Sequence, residues 1–221
     1  MTTTDTDGNG AGSIAGRTGG ATVEAGGYPK QIELKGGKRA ELQLMTPEDA
    51  GLLHQFFCGI PPQDLLFLRR DVTDRPVIDQ WAERVGRGAI VTVLAISDGR
   101  TVGEASLHLN SVPWTEHIGE VRVVIDPSMR QSGLGTRLTS EVFLLAIQRG
   151  IKKIVAEMTS EQKGAIAVFQ KLGFRVEGLL RCHVRDREGN AHDLVLMGHE
   201  TQDFYEQMRA YGFEESGIGS D

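Results

Sequence analysis

The chain is poor in cysteine, in cationic charge and in long apolar runs. Two cysteines, Cys58 and Cys182, among 221 residues are too few for a disulfide framework, so free thiols in a reducing cytoplasm are expected. No stretch approaches the roughly 20 apolar residues that cross a bilayer, which argues against a membrane protein and a membrane partner. Lys and Arg number 24 against 30 Asp and Glu, a formal charge of -6. A protein held on nucleic acid by phosphate contacts needs a basic patch or stripe, so no nucleic-acid partner is expected. Residues 1–27 also lack the apolar core of a secretion signal.

What is present is glycine, 28 residues in all, unevenly placed. Residues 1–27 hold eight glycines and six threonines with almost no large apolar group. Such a segment buries too little surface to offset its ordering entropy. Residues 1–37 are therefore expected to be a disordered extension, 38–200 the folded domain, and 201–221 a C-terminal helix and tail. Within the domain, Arg39–Met45 alternates like a strand and Thr46-Pro47-Glu48-Asp49 opens a helix. The periodicity predicts short helices over 48–58, 63–70 and 77–85, then strands over 89–96, 102–109 and 117–125. A helix over 134–149, a strand over 152–158, a helix over 161–172 and strands over 174–184 and 192–198 complete the order. This predicts an α/β (α+β) single domain built on a mixed sheet of about seven strands flanked by helices.

The segment richest in chemical information is Val121–Thr136. An apolar strand ends at Asp126-Pro127, a tight loop carries Arg130-Gln131-Ser132-Gly133-Leu134-Gly135-Thr136, and Leu134, Leu138, Val142 and Leu145 then recur at helical spacing. Gly133 and Gly135 allow close backbone approach to a ligand, and the unpaired amides at the helix start face an anion. Arg130 adds a charge-assisted bond. The pattern suits a pyrophosphate cradle. It lacks the Gly-Lys-Ser/Thr of a nucleoside-triphosphate loop and does not open a βαβ unit as a dinucleotide fingerprint does.

This unit, the later run Ala165–Phe174 with its Gly-Phe exit, and the strand order together resemble the GNAT superfamily of acetyl-CoA-dependent N-acetyltransferases over about Arg39–Glu200. The resemblance implies a mostly antiparallel sheet with an opening between the strands at 117–125 and 152–158. It places the pantetheine arm of acetyl-CoA along main-chain groups of Val123, Val124 and Ile125 and the pyrophosphate on Arg130–Thr136, with Gln162 and Phe169 beside the cofactor and no metal. Gln162 also has capping-box spacing from Thr159.

Transfer to an amine requires a neutral nitrogen, hence a proton acceptor. Glu120 matches the position where several family members place a catalytic glutamate; pairing with Arg122 on the same strand face is the alternative. Glu116 and His117 are weaker substitutes. Phe169 stands where the family often has a tyrosine acid, which leaves Cys182, Tyr205 or water as the donor. His183 and His192 face each other across the last hairpin, but adjacent Cys182 and His183 point to opposite faces of a strand and cannot share an ion. The resemblance implies N-acetylation of a primary amine by direct attack in a ternary complex. The opening helices resemble those of GNAT proteins that acetylate protein lysines, which favours a protein or peptide amine over an antibiotic or polyamine. A non-catalytic acyl-CoA-binding module is the rival, and the expected assembly is a monomer or homodimer.

Overall fold

The computed structural model describes residues 27–65, 68, 70–186 and 188–201. In chain order these form β1 (Lys30–Glu33), β2 (Arg39–Leu44), α1 (Ala50–Gly59), α2 (Pro62–Leu65), α3 (Arg75–Gly86), β3 (Ile90–Ser97), β4 (Arg100–Leu109) and β5 (Ile118–Ile125). Then follow α4 (Leu134–Gln148), β6 (Lys153–Thr159), α5 (Lys163–Lys171), β7 (Arg175–Arg185) and β8 (Ala191–Glu200). The eight strands make one sheet in the order β1-β2-β3-β4-β5-β6-β8-β7. Every neighbouring pair is antiparallel except β5 with β6.

Strand alternation gives the sheet two faces with separate cores. On one face Val93, Ala95, Ala105, Leu107 and Val121 meet Leu138, Val142 and Phe143 of α4 and Phe169 of α5. On the other, Ile90, Leu94 and Val124 meet Leu53 and Phe57 of α1 and Ile78 and Trp81 of α3. Full burial of a side chain such as Phe57 stabilises by about 1.5–3 kcal/mol through lost water contact alone. The Trp81 indole adds a hydrogen bond of 3.0 Å to Thr92 Oγ1, fixing α3 across the sheet.

Two element boundaries differ from expectation for identifiable reasons. The helix opening after Thr46 begins as a 3-10 turn, Pro47–Asp49, and becomes α-helical at Ala50; Asp49 Oδ2 accepts the Thr46 amide at 2.8 Å. Of the second expected helix, 63–70, α2 covers the part up to Leu65, Leu68 and Arg70 are not helical, and residues 66, 67 and 69 lie outside the described residues.

The sheet also starts earlier than Lys38. β1 pairs with β2 from Lys30↔Leu42 to Glu33↔Arg39, so residues 30–37 belong to the domain. Their anchor is Glu141, a buried carboxylate on α4 that accepts the Tyr28 hydroxyl at 2.8 Å and Lys30 Nζ at 2.7 Å and pairs with Arg137 at 3.0 Å. Burial first, and the Glu141 charge second, push the Tyr28 phenol well above its ordinary range. β1 buries only Ile32, which is why its apolar pattern is faint. Residues 1–26 and the C-terminal helix expected over 201–221, Thr201 excepted, lie outside the described residues. No helix among the described residues is long and apolar enough to cross a membrane.

Candidate active site

The parallel strands β5 and β6 pair only through Ile118↔Lys153, Gly119↔Ile154 and Glu120↔Val155. Beyond Glu120 they part, which leaves the β6-facing edge of Val121–Ile125 without a strand partner while its other edge stays bonded to β4. An extended ligand can add to such an edge as a strand would. The cleft thus opened holds about 410 Å³. Val121, Val123 and Val124 line one wall, Ala156 and Met158 the other, and Gln162, Ala165 and Phe169 close it from α5. Ile125 does not line the cleft: its backbone is paired with Gly103 of β4, and its side chain packs against the α4 core.

At the end of β5 the chain is turned by Asp126, which accepts the Ser128 amide at 2.8 Å and the Ser128 hydroxyl at 2.6 Å. Burial works to raise the Asp126 carboxyl, yet the two Ser128 bonds, with Arg100 and Arg130 nearby, hold it below the ordinary range. The 3-10 turn Pro127–Met129 follows, then Gln131 at φ 60 and Gly133 at φ 90. Ser132 Oγ donates to Met129 O at 2.6 Å and accepts from the Leu134 amide at 3.3 Å. The first intrahelical bond of α4 runs from Arg137 N to Gly133 O, so the amides of Gly133, Gly135 and Thr136 precede the helical ladder. A Cβ placed on Gly133 would meet nothing within 4 Å. The space over this loop is open, and glycine keeps it open in a left-handed conformation that other residues rarely adopt.

The loop is buttressed by residues that carry no motif. Lys35 donates its amide to Ser132 O at 2.9 Å, and Lys38 Nζ bonds Ser128 O. The turn Lys35-Gly36-Gly37-Lys38, with both glycines at positive φ, is the one sequence signal for them. Arg130 ion-pairs with Asp64 of α2 at 2.6 Å, a contact that joins the loop before α4 to the opening helices.

Glu120 lies at the mouth of the cleft with about a fifth of its side chain exposed. It lines the cleft, and its Oε1 accepts Arg122 Nε at 2.9 Å with Nη2 also at 2.9 Å, the pairing that the sequence offered as the alternative to a proton-accepting role. On the other side of Glu120 is a second cavity of about 360 Å³ between α3 and the sheet. The two cavities share Leu68, Glu120 and Arg122, so this carboxylate and its arginine form the partition. Glu116 and His117 lie on the exposed loop before β5 and line neither cavity.

The remaining sequence candidates separate. Gln162 Oε1 accepts the Thr159 amide at 2.9 Å, the capping role, while its side chain also borders the cleft. Phe169 is buried against Phe174, ring centroids 4.9 Å apart, and is among the residues that line the cleft. Cys182 is exposed and does not line the cleft, whereas His183 does. β7 bulges between Leu180 and Val184, with Cys182 at φ 51, so strict alternation fails there. His192 faces Asp186 at 3.0 Å and Glu161 at 3.5 Å; the Asp186 bond raises its imidazole above the ordinary value. Tyr205 is outside the described residues.

Sequence reasoning missed a line of polar groups on the face of β4 that meets α3. Glu104, Ser106 and His108 stand opposite Val124, Arg122 and Glu120 of β5. Ser106 Oγ bonds His108 Nε2 at 3.2 Å, and the His108 ring meets Trp81 edge-on at 5.3 Å. Glu104 is wholly buried, and that burial pushes its carboxyl up to about 8 despite the opposing pull of Arg122 and Ser106.

A family model described as the acetyltransferase (GNAT) family matches residues 59–174. A Bacillus subtilis relative provisionally named a phosphinothricin acetyltransferase is 31% identical over 88 residues, 40% of this chain and 53% of its own length. The L-amino acid N-acetyltransferase of Escherichia coli is 25% identical over 105 residues, 47% of this chain and 65% of its own length. The chain thus spans about half to two thirds of these two relatives. Among solved structures, a GNAT acetyltransferase from Streptococcus pneumoniae superposes with a TM-score of 0.63 at 24% identity, covering 72% of this chain and 99% of the other. A phosphinothricin acetyltransferase from Sinorhizobium meliloti, in complex with acetyl-CoA, gives 0.62 at 18% identity, covering 73% and 88%. With the splayed β5–β6 pair, the open amide loop at the start of α4 and a family match over more than half its length, the chain belongs to the GNAT family of acetyltransferases.

Proposed function

We propose that the protein moves the acetyl group of acetyl-CoA to the primary amine of a small molecule by direct attack in a ternary complex. The observation that carries this reading is the shared partition: Glu120 borders both the cleft suited to the cofactor arm and a separate cavity of about 360 Å³. A thioester seated along Val123–Ile125 and an amine seated in the second cavity meet at that carboxylate. The open amides of Gly133, Gly135 and Thr136, with Arg130, suit the pyrophosphate.

In the step itself Glu120 takes a proton from the bound ammonium, the freed nitrogen attacks the thioester carbonyl, the new C–N bond forms, and the C–S bond breaks to release CoA. The nitrogen sheds its second proton as the amide forms, and His183, an imidazole on the cleft wall, can pass that proton to the leaving thiolate, since Phe169 has none to give. The volume of the second cavity suits a small acceptor better than an extended peptide. Glu120→Gln keeps the shape but cannot accept a proton, so kcat should fall roughly a hundredfold or more while acetyl-CoA affinity stays near wild type. Free CoA release over an amine panel and calorimetry measure the two quantities. Undiminished turnover in Glu120→Gln removes Glu120 from the step.

A further inference from the structure

The second cavity has a charge of its own. Its α3 wall is one helix face, with Val77, Gln80, Trp81 and Arg84 at i, i+3, i+4 and i+7. Arg70 hangs over it, held by a 2.5 Å bond to Gln80 Oε1. From the sheet below rise His108, Glu120 and Arg122. Three arginines therefore face one carboxylate among the described lining residues. Arg84 makes no ion pair among the described residues, and Arg70 donates to a neutral amide. Glu104, behind Arg122 on the same face, does not neutralise it: the burial that raises its carboxyl keeps it protonated at neutral pH. A cavity so lined repels a purely cationic acceptor and attracts an anion, for which the planar fork of arginine is well matched.

We propose that the cavity is an anion-reading acceptor site, in which a carboxylate or phosphonate on the amine-bearing molecule binds Arg84 and Arg70 and competes with Glu120 Oε1 for Arg122. The inference rests on the acetyl-transfer reading above and names its acceptor class: small aminoalkyl acids. Its consequence is a selection device. Without an anion in the cavity, Arg122 presents both Nε and Nη2 to Glu120 Oε1, the group that must take the proton. An acceptor whose own anion draws the guanidinium away removes that competitor for the carboxylate, so a correct acceptor is both bound and better served by its base. A bare amine of the same shape obtains neither.

The test uses the full chain with aminoalkyl carboxylates and phosphonates of increasing length, each beside its neutral carboxamide. The readouts are kcat/KM for CoA release and calorimetric binding of the N-acetylated products in the presence of CoA. At least one anionic member should exceed its neutral partner by tenfold or more. Arg84→Gln and Arg122→Gln should each bring that ratio toward one. Arg87→Gln, which alters a surface arginine one turn further along that does not line the cavity, should leave it in place. Arg84 is exposed, so its variant reports even if Arg122→Gln folds poorly. A preference for neutral or polycationic amines, or a ratio that survives both changes, overturns the inference. So does a peptide amine acetylated while every anionic small acceptor is refused, although acetyl transfer then stands. Anion binding lost in Arg84→Gln, with no transfer to any amine, overturns the transfer reading and leaves the anion site standing.

Discussion

Glu104→Gln tests how the α3-facing side of the sheet is held. Glu104 is wholly buried on β4 between Leu94 of β3 and Val124 of β5, and neither carboxyl oxygen has a formed hydrogen bond among the described residues. The near polar groups are Ser106, whose hydroxyl is engaged with His108, and Arg122, whose charge pulls against desolvation. Burial dominates and carries the carboxyl from its ordinary 4.5 up to about 8. Below pH 4.5 the group is protonated in both folded and unfolded chains, and its neutral form is fully tolerated. As pH rises from about 4.5 to about 8 the unfolded chain loses the proton while the folded chain keeps it, so stability falls across that window at about 1.4 kcal/mol per pH unit. Between pH 5 and pH 8 the wild type should lose about 3–4 kcal/mol relative to Glu104→Gln, which does not titrate. The carboxamide has one more buried N–H to satisfy, a penalty of about 1–3 kcal/mol that does not vary with pH. The variant should therefore be the less stable protein at pH 5 and the more stable one at pH 8, with a crossing between. Urea unfolding of both proteins at unit pH intervals from 5 to 9 measures the difference. Parallel stability curves would refute the reasoning and place a counter-charge or water against Glu104. Arg122→Gln, which removes the one cation pulling the carboxyl down, should move the window to higher pH.

Two further predictions concern the anion loop and the N-terminal strand. Asp64→Asn frees Arg130 from its 2.6 Å ion pair; an exposed pair is worth about 0–1 kcal/mol, so acetyl-CoA should bind up to about fivefold tighter at low salt, with the gain shrinking at high salt, as calorimetry at two ionic strengths will show. Removal of residues 1–26 should leave unfolding unchanged, whereas a cut through Lys38 strips Tyr28 and Lys30 from buried Glu141 and should destabilise by about 3 kcal/mol or more in urea melts.

Most of the fold was legible because its signals are local. Thr46-Pro47 before a helix, Asp98-Gly99 between strands β3 and β4, and glycines after α4 and α5 are turn and cap chemistry that works at a few residues' range. The glycine loop before α4 was legible for the same reason, since Arg130–Thr136 is one continuous segment; its anion-binding role is a proposal. β1 was not, because its hold on the domain is Glu141, more than a hundred residues away, and a carboxylate on a helix reads as a solvent-facing group until its partners are known. The Asp64–Arg130 pair was hidden likewise: the acidic residues of the opening helices look like a solvated face, and only the folded chain brings one of them onto the anion loop.

The cavity between α3 and the sheet shows where a local rule gives the wrong face. Gly103-Glu104-Ala105-Ser106-Leu107-His108-Leu109 alternates polar with apolar, and that alternation ordinarily marks a strand with one side in water. Here both sides are covered: Ala105 and Leu107 meet α4, and Glu104 and Ser106 are wholly buried beneath the helices of the other face. Burying such groups costs about 1–3 kcal/mol for each one left without a full set of partners, and a chain selected for stability alone would place valine or leucine there. The register β4–β5 sets those polar groups directly opposite Val124, Arg122 and Glu120, the strand positions that border the cofactor cleft. The polar line is thus the side of the sheet where stability is given up, and it ends at His108, which lines the cavity proposed to take the acceptor.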